Sequence, residues 1–290
     1  MVSWVSHRVP VGAPDSYLAA YTQARDSGAL VVFAHATGLH AQVFFPLAQL
    51  LADQYVVAYD ARGHGSSSPG PDSPRWDMYG EDARVVTGWA RAQATPPPRP
   101  VVGVGHSMGA TALIMAALSE PGLFDLLIVV EPIVFPPRAG AVDSPLAAGA
   151  RRRRDRFPSF EAALENFSAK PPLNSLDPRV LAEYVRHGFA EHDGDVVLRC
   201  RPEYEARTYE MGVAHDTWTR LDRLVTPTLV VAGASHPQQP SAVSADIAAR
   251  IDGARFERWE DSGHFAPLER PERFADLVRR EIEHLAPTIS

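Results

Sequence analysis

The pentapeptide Gly105-His106-Ser107-Met108-Gly109 decides how the rest of this chain is read. It follows Pro100-Val-Val-Gly-Val-Gly105, a short apolar run with β-branched residues that predicts a buried strand. It leads into residues 108–118, rich in Ala, Leu, Ile and Met, which predict a helix. Gly-x-Ser-x-Gly carries little weight by itself, because it arises by chance. Set between a strand and a helix, it has the context of a strained turn that exposes a nucleophile. The two glycines suit a turn too tight for a β-carbon. Ser107 would project from that turn beside the positive end of the following helix, where developing negative charge is favoured. The competing reading is a glycine-rich turn with a solvated serine.

Outward from this turn the same alternation recurs. Residues 29–34 and 55–60 predict strands, and residues 43–52 and 77–94 predict helices, the second with Met78, Val85, Val86 and Trp89 on its apolar side and prolines 96–98 to end it. Residues 124–130 predict a fourth strand, residues 228–232 and 254–259 later ones, and residues 272–285 a closing amphipathic helix. Alternating strands and helices predict an α/β fold, a mostly parallel sheet flanked by helices on both faces. Residues 136–220 break the pattern, with no buried run of comparable strength and helical stretches interrupted by Pro158, Pro171, Pro172, Pro178 and Pro202. They read as a mainly helical cap, or lid, inserted after the fourth parallel strand. There it would cover the carboxyl ends of the strands, where open α/β sheets bind ligands. The 290 residues then divide into a core, 1–135 and 221–290, and a cap, 136–220, rather than two independent domains.

Lys plus Arg number 28 against 35 Asp plus Glu, a net charge of −7, which argues against a nucleic-acid partner. The local exception is Arg151-Arg-Arg-Arg-Asp-Arg156, read as the solvated face of a lid helix or, alternatively, as the source of one inward arginine that clamps an anionic group. The single cysteine, Cys200, allows no intrachain disulfide and suits a reducing compartment. No apolar run approaches the ~20 residues that cross a bilayer. The N-terminus lacks the basic-then-apolar pattern of a secretory signal. A soluble, cytoplasmic protein with no membrane partner is expected, and a homodimer is compatible with the sequence. No His and carboxylate cluster has metal-ligand spacing and no dinucleotide motif is present, so no metal and no cofactor is expected.

Four stretches carry a resemblance: His35-Ala-Thr-Gly38, Asp60-Ala-Arg-Gly-His-Gly65, the pentapeptide, and Ser262-Gly-His-Phe265. Together they resemble the serine hydrolases of the α/β-hydrolase fold, esterase- and lactonase-like, over nearly the whole chain apart from the insertion. The resemblance implies a catalytic triad with Ser107 as nucleophile and His264, just after the last strand, as the base that takes the serine proton and returns it to the leaving group. It implies an oxyanion hole from the Met108 N–H and a second N–H in the 35–38 loop. Alignment with the family's His-Gly-x-Pro loop puts Thr37 in the donor position, and the departures at Ala36 and Gly38 leave Gly38 as the alternative.

The acid departs from the family pattern. In most members it follows the strand matching residues 228–232, as a glycine, two residues, an aspartate and a proline four further on. Here Gly233 and Pro240 are kept, but His236 stands in the acid's place and cannot supply a fixed negative charge. Glu131, at the end of the fourth strand, is the substitute, since some hydrolases of this fold carry their acid there and a glutamate reaches further than an aspartate. The order Ser107, Glu131, His264 still runs serine, acid, histidine. Asp261, three residues before His264, is the weaker candidate. His106 is expected to line the pocket wall, and His64 to brace its glycine turn.

The expected reaction is hydrolysis of a small-molecule carboxylic ester or lactone through an acyl-enzyme. A serine at the elbow argues against haloalkane dehalogenase and epoxide hydrolase chemistry, which in this fold uses an aspartate there. Carbon–carbon or thioester hydrolysis and a natural-product tailoring step are alternatives on the same triad. A non-catalytic ligand-binding protein is the alternative of another class, kept open by His236 and opposed by Glu131. Phe157, Phe160, Phe167, Tyr184, Phe189, Met211 and Trp218 either line an acyl pocket or pack the cap on the core.

Overall fold

A computed structural model of the protein describes residues 4–12, 14–23, 28–93, 99–137, 144–212, 214–237 and 239–285. Prolines 96–98, expected to end a helix, lie outside the described residues. The main sheet has eight strands in the order β1-β2-β4-β3-β5-β6-β10-β11. In chain order these are β1 (Val5–Pro10), β2 (Tyr17–Gln23), β3 (Leu30–Ala34), β4 (Tyr55–Tyr59), β5 (Val101–His106), β6 (Leu126–Val130), β10 (Thr228–Gly233) and β11 (Arg255–Trp259). From β4 to β11 across the sheet every pairing is parallel, whereas β1 runs antiparallel to β2 and β2 antiparallel to β4. β6 is thus the fourth parallel strand in the chain. The β1–β2 pair is an addition to the sequence reading.

The helices are α1 (Phe45–Leu50), α2 (Trp76–Arg91), α3 (Met108–Ser119), α4 (Pro145–Arg152), α5 (Phe160–Ser168), α6 (Pro178–Gly188), α7 (Pro202–Met211), α8 (Thr217–Arg220), α9 (Ser244–Arg250), α10 (Ala266–Glu269) and α11 (Pro271–Leu285). Strand alternation sorts the core into two layers. Val31, Phe33, Val56, Ala58, Val102, Val104, Ile128 and Val130 share a cluster with Leu47 of α1 and Phe274, Leu277 and Val278 of α11. Leu30, Val32, Val57, Leu127, Val129 and Val230 face the other way, toward Tyr79, Ala83 and Val86 of α2, Leu113 and Ile114 of α3, and Ile247 of α9. A parallel sheet covered on both sides explains why its strands read as unbroken apolar runs.

Between β6 and β10 the chain carries α4 to α8 together with a second, three-stranded sheet, β7-β9-β8, formed by β7 (Arg156–Phe157), β8 (Phe189–His192) and β9 (Asp195–Leu198). The described part of the insertion is mainly helical, as expected, with this small sheet as an addition. The β8–β9 hairpin turns on Asp193 and Gly194, both at positive φ (53° and 80°), the conformation that Asp-Gly supplies in a two-residue turn. Phe157, Phe167, Tyr184 and Phe189 pack on one another with ring centroids 5.5–6.4 Å apart. Their burial in the same cluster as one sheet face identifies them as packing.

Candidate active site

β5 ends at His106, and Ser107 follows with φ 55° and ψ −114° before α3 begins at Met108. A non-glycine residue held there is strained, by about 1–3 kcal/mol. The turn is held by its surroundings: a Cβ on Gly105 would come within 2.5 Å of Ala110 Cα, and one on Gly109 would strike the carbonyls of Ala34 and His35. This close approach of α3 to the end of β3 sets the 35–38 loop beside Met108, whose N–H belongs to the unsatisfied first turn of the helix. Ser107 itself is 6% exposed.

Glu131 is the second non-glycine residue of the site at positive φ, 45°. Its N–H bonds Val231 O at 3.0 Å and the Ser107 N–H bonds Val130 O at 2.8 Å, so elbow and strand end are tied together. The carboxylate is fully buried. One oxygen accepts the Gly233 N–H at 2.9 Å, and the other accepts His264 Nδ1 at 2.6 Å. With its proton on Nδ1 facing the carboxylate, a neutral His264 presents a lone pair at Nε2. Two donors, one of them on the imidazole, compensate the burial of this charge.

The other acid candidate, Asp261, makes its ion pair elsewhere: it is exposed and pairs with Arg273 at 2.7 Å. His236 is exposed, and its backbone N–H bonds Ser241 Oγ at 3.1 Å.

In the 35–38 loop the Gly38 N–H is committed to His64 Nε2 at 3.1 Å, while His64 Nδ1 donates to Arg62 O at 3.0 Å. His64 therefore braces two loops, its own turn and this one. His35 does similar work, accepting the Ala61 N–H at Nε2 (2.9 Å) and donating from Nδ1 to Ala36 O (2.8 Å). Burial holds His35 well below its ordinary pKa and His64 down at about 4, so both act as neutral rings.

Glu205 of α7 comes down onto Gly38. A Cβ there, at φ 77°, would lie 2.5 Å from Glu205 Oε1. Arg153 turns inward to hold Glu205 at 2.5 Å and the Tyr184 hydroxyl at 2.6 Å. The rest of the basic run is spent at the surface, with Arg151 paired to Glu203 and Glu210, Arg156 to Asp195, and Arg154 over the Phe157 ring.

His106 departs from expectation. It is 1% exposed, so it does not line a pocket wall; its Nε2 donates to the backbone carbonyl of His264 at 2.8 Å. Adjacency to Ser107 was visible in the sequence, but the partner 158 residues away was not.

A family model described as the alpha/beta hydrolase family matches residues 31–277. The chain belongs to this family. A type I acyl-CoA thioesterase of Penicillium brevicompactum is 27% identical over 219 residues, 70% of this chain and 48% of that protein. The chain thus spans about half the length of that relative. A 2-(acetamidomethylene)succinate hydrolase of Mesorhizobium japonicum is 26% identical over 236 residues, 80% of this chain and 78% of that one. Among solved structures, the peroxisomal alpha-beta-hydrolase Lpx1 of Saccharomyces cerevisiae superposes with a TM-score of 0.82 at 16% identity, covering 99% of this chain and 90% of that one. That likeness is one of fold. Among the described residues, no helix of this chain is long and apolar enough to cross a membrane.

Proposed function

We propose that this protein is a serine hydrolase that cleaves a carboxylic ester or lactone of a small molecule through an acyl-enzyme on Ser107. The observation that carries the reading is the 2.6 Å contact between His264 Nδ1 and the buried Glu131 carboxylate, beside a serine held at positive φ. In this reading His264 Nε2 takes the Ser107 proton as Oγ attacks the carbonyl, and the imidazolium so formed is stabilised by Glu131. Met108 N–H and Thr37 N–H receive the oxyanion, Thr37 being favoured over Gly38 because the Gly38 N–H already serves His64. His264 then protonates the leaving group, and a water activated by the same imidazole frees the acid. The segment 136–220 acts as a cap, with α7 resting on the Gly38 loop through Glu205.

A thioester is the second reading, favoured by the acyl-CoA thioesterase among the relatives. The same triad and oxyanion hole serve both bonds.

The test is turnover of p-nitrophenyl butyrate beside release of thiol from butyryl-CoA. The intact protein is expected to cleave the ester and to be labelled by a fluorophosphonate, and Ser107→Ala to abolish both. A protein inert to ester, thioester and phosphonate would refute the reading and leave a ligand-binding role. Faster turnover of the thioester would move the assignment to the second reading.

A further inference from the structure

We propose that His106 is the positioning residue of the base loop, its imidazole on the elbow holding the His264 carbonyl and so fixing the base relative to the adjoining serine. The proposal rests on the hydrolase reading above.

The His106 Nε2 to His264 O distance is 2.8 Å, and a carbonyl only accepts, so the His106 proton sits on Nε2. Burial pushes His106 well below its ordinary pKa, so the ring carries one proton and Nδ1 has none. That Nδ1 is buried with no hydrogen-bond partner among the described residues. An imidazole with one nitrogen stranded in this way is a poor filler, since a phenyl ring would occupy the space without stranding a polar atom. What histidine adds over phenylalanine is the Nε2 donor aimed at the base loop.

The loop's other anchors come from elsewhere. Ala234 N–H bonds Ser262 O at 2.8 Å, and Gly263 N–H bonds Glu269 Oε2 at 2.7 Å. Among the described residues, His106 makes the one side-chain hydrogen bond from the elbow to the backbone of that loop. Its ring also lies against the His264 ring, centroids 4.8 Å apart at 49°, with Phe265 edge-on at 5.5 Å. Because Ser107 is the next residue, His106 adds a direct link from elbow to base beside the one that runs through Val130 and the Glu131 carboxylate. Its neutrality has a second use: a cation at that separation would oppose the charge that His264 takes up in the transition state.

The experiment compares three variants of the full chain with the wild type. His106→Phe keeps a ring and removes the donor, His106→Gln returns an N–H at similar reach, and His106→Asn falls short of it. The readouts are kcat and KM on p-nitrophenyl butyrate and the downfield NMR resonance of the His264 Nδ1 proton. Misplacing a catalytic group by about 1 Å can cost about 100-fold. Phe is therefore expected to lower kcat by about 10- to 100-fold, with KM changed by less than about threefold, and to broaden the Nδ1 resonance. Gln is expected to recover at least about a third of the wild-type kcat. Wild-type kcat in His106→Phe, or Gln as slow as Phe, would overturn the proposal. If the Phe variant does not fold, equal rates for Gln and Asn overturn it. If the wild type turns over nothing, the hydrolase reading has failed, and the resonance still decides: an Nδ1 proton unchanged in the substituted proteins means that His106 positions nothing.

Discussion

At the scale of single residues, the carboxylate that meets His264 is the sharpest case. The sequence places His236 where most of the family has aspartate, and the structure puts the carboxylate of Glu131 on His264 Nδ1 instead. Glu131 can do this because it takes up φ 45°, which turns its side chain from β6 across to Gly233 of β10 and the base loop. Removing the negative charge while keeping the shape, Glu131→Gln, is expected to lower kcat on p-nitrophenyl butyrate by about 10⁴-fold, because the wrong tautomer of the base is then favoured. Asp261→Asn, at an exposed carboxylate bound to Arg273, is expected to stay within about twofold of wild type. The opposite ranking in steady-state kinetics would return the acid to Asp261. The meeting of Glu131 with His264 was legible through the resemblance, since some hydrolases of this fold carry a carboxylate at that strand end and a glutamate has the reach. The commitment of the Gly38 N–H to His64 was not, since it depends on how two loops separated by 26 residues meet.

Elements show the same division between local and distant information. The parallel strands were legible as apolar runs because both of their faces are buried. β1 and β2 were missed: β1 lies at the sheet edge with mostly exposed residues, and only its register with β2 reveals it. The small sheet of the insertion has strands of two to four residues, too short for a periodic signal, although Asp193-Gly194 marks its hairpin. Helix α7 is one of the elements that join insertion to core, beside α6, whose Tyr184 carbonyl meets His40 at 3.1 Å. Beside Glu205 on Gly38, Tyr204 fills the space above Gly63 and its hydroxyl meets Tyr79 of α2 at 3.0 Å. Gly63 sits at φ 73° with no room for a β-carbon, whereas Gly122, at φ 86°, has nothing within 4 Å. Gly122→Ala therefore reports backbone strain alone, about 1–3 kcal/mol, and Gly63→Ala reports strain plus displacement of Tyr204. Gly63→Ala is expected to lose at least about 2 °C more in Tm than Gly122→Ala, and to be nicked faster by trypsin within residues 144–212. Equal losses with unchanged proteolysis would show that α7 does not depend on this contact.

For the whole molecule, the concentration of buried histidines governs how stability responds to acid. Burial holds His40 and His64 at about 4 and pushes His35 and His106 well below their ordinary values, with His215 shifted the same way. A base with a depressed folded pKa contributes stability that is complete above its unfolded value near 6.5 and is lost as the pH falls toward the folded one. Asp60 works in the opposite sense. Burial raises it to about 6, although it accepts hydrogen bonds from Ala41 N, Ser66 N and the Tyr21 hydroxyl, so its folded form takes up a proton as the pH falls through that value. His40 and His64 would each withdraw about 3 kcal/mol by pH 4, and Asp60 would return a similar amount once. Between pH 5 and 6.5 ordinary carboxylates are still ionised, so the histidines dominate and unfolding should take up about two protons at the upper end of this window, rising to about four at the lower. Urea denaturation followed by circular dichroism is expected to show stability falling steeply as pH drops across this window. The fall should be shallower by about one proton in His64→Gln, whose amide oxygen can still accept the Gly38 N–H, and steeper by nearly as much in Asp60→Asn. A flat response from pH 6.5 to 5 would mean that these rings charge inside the fold, and the neutral imidazoles on which the Gly38 loop and the base loop depend would no longer account for either.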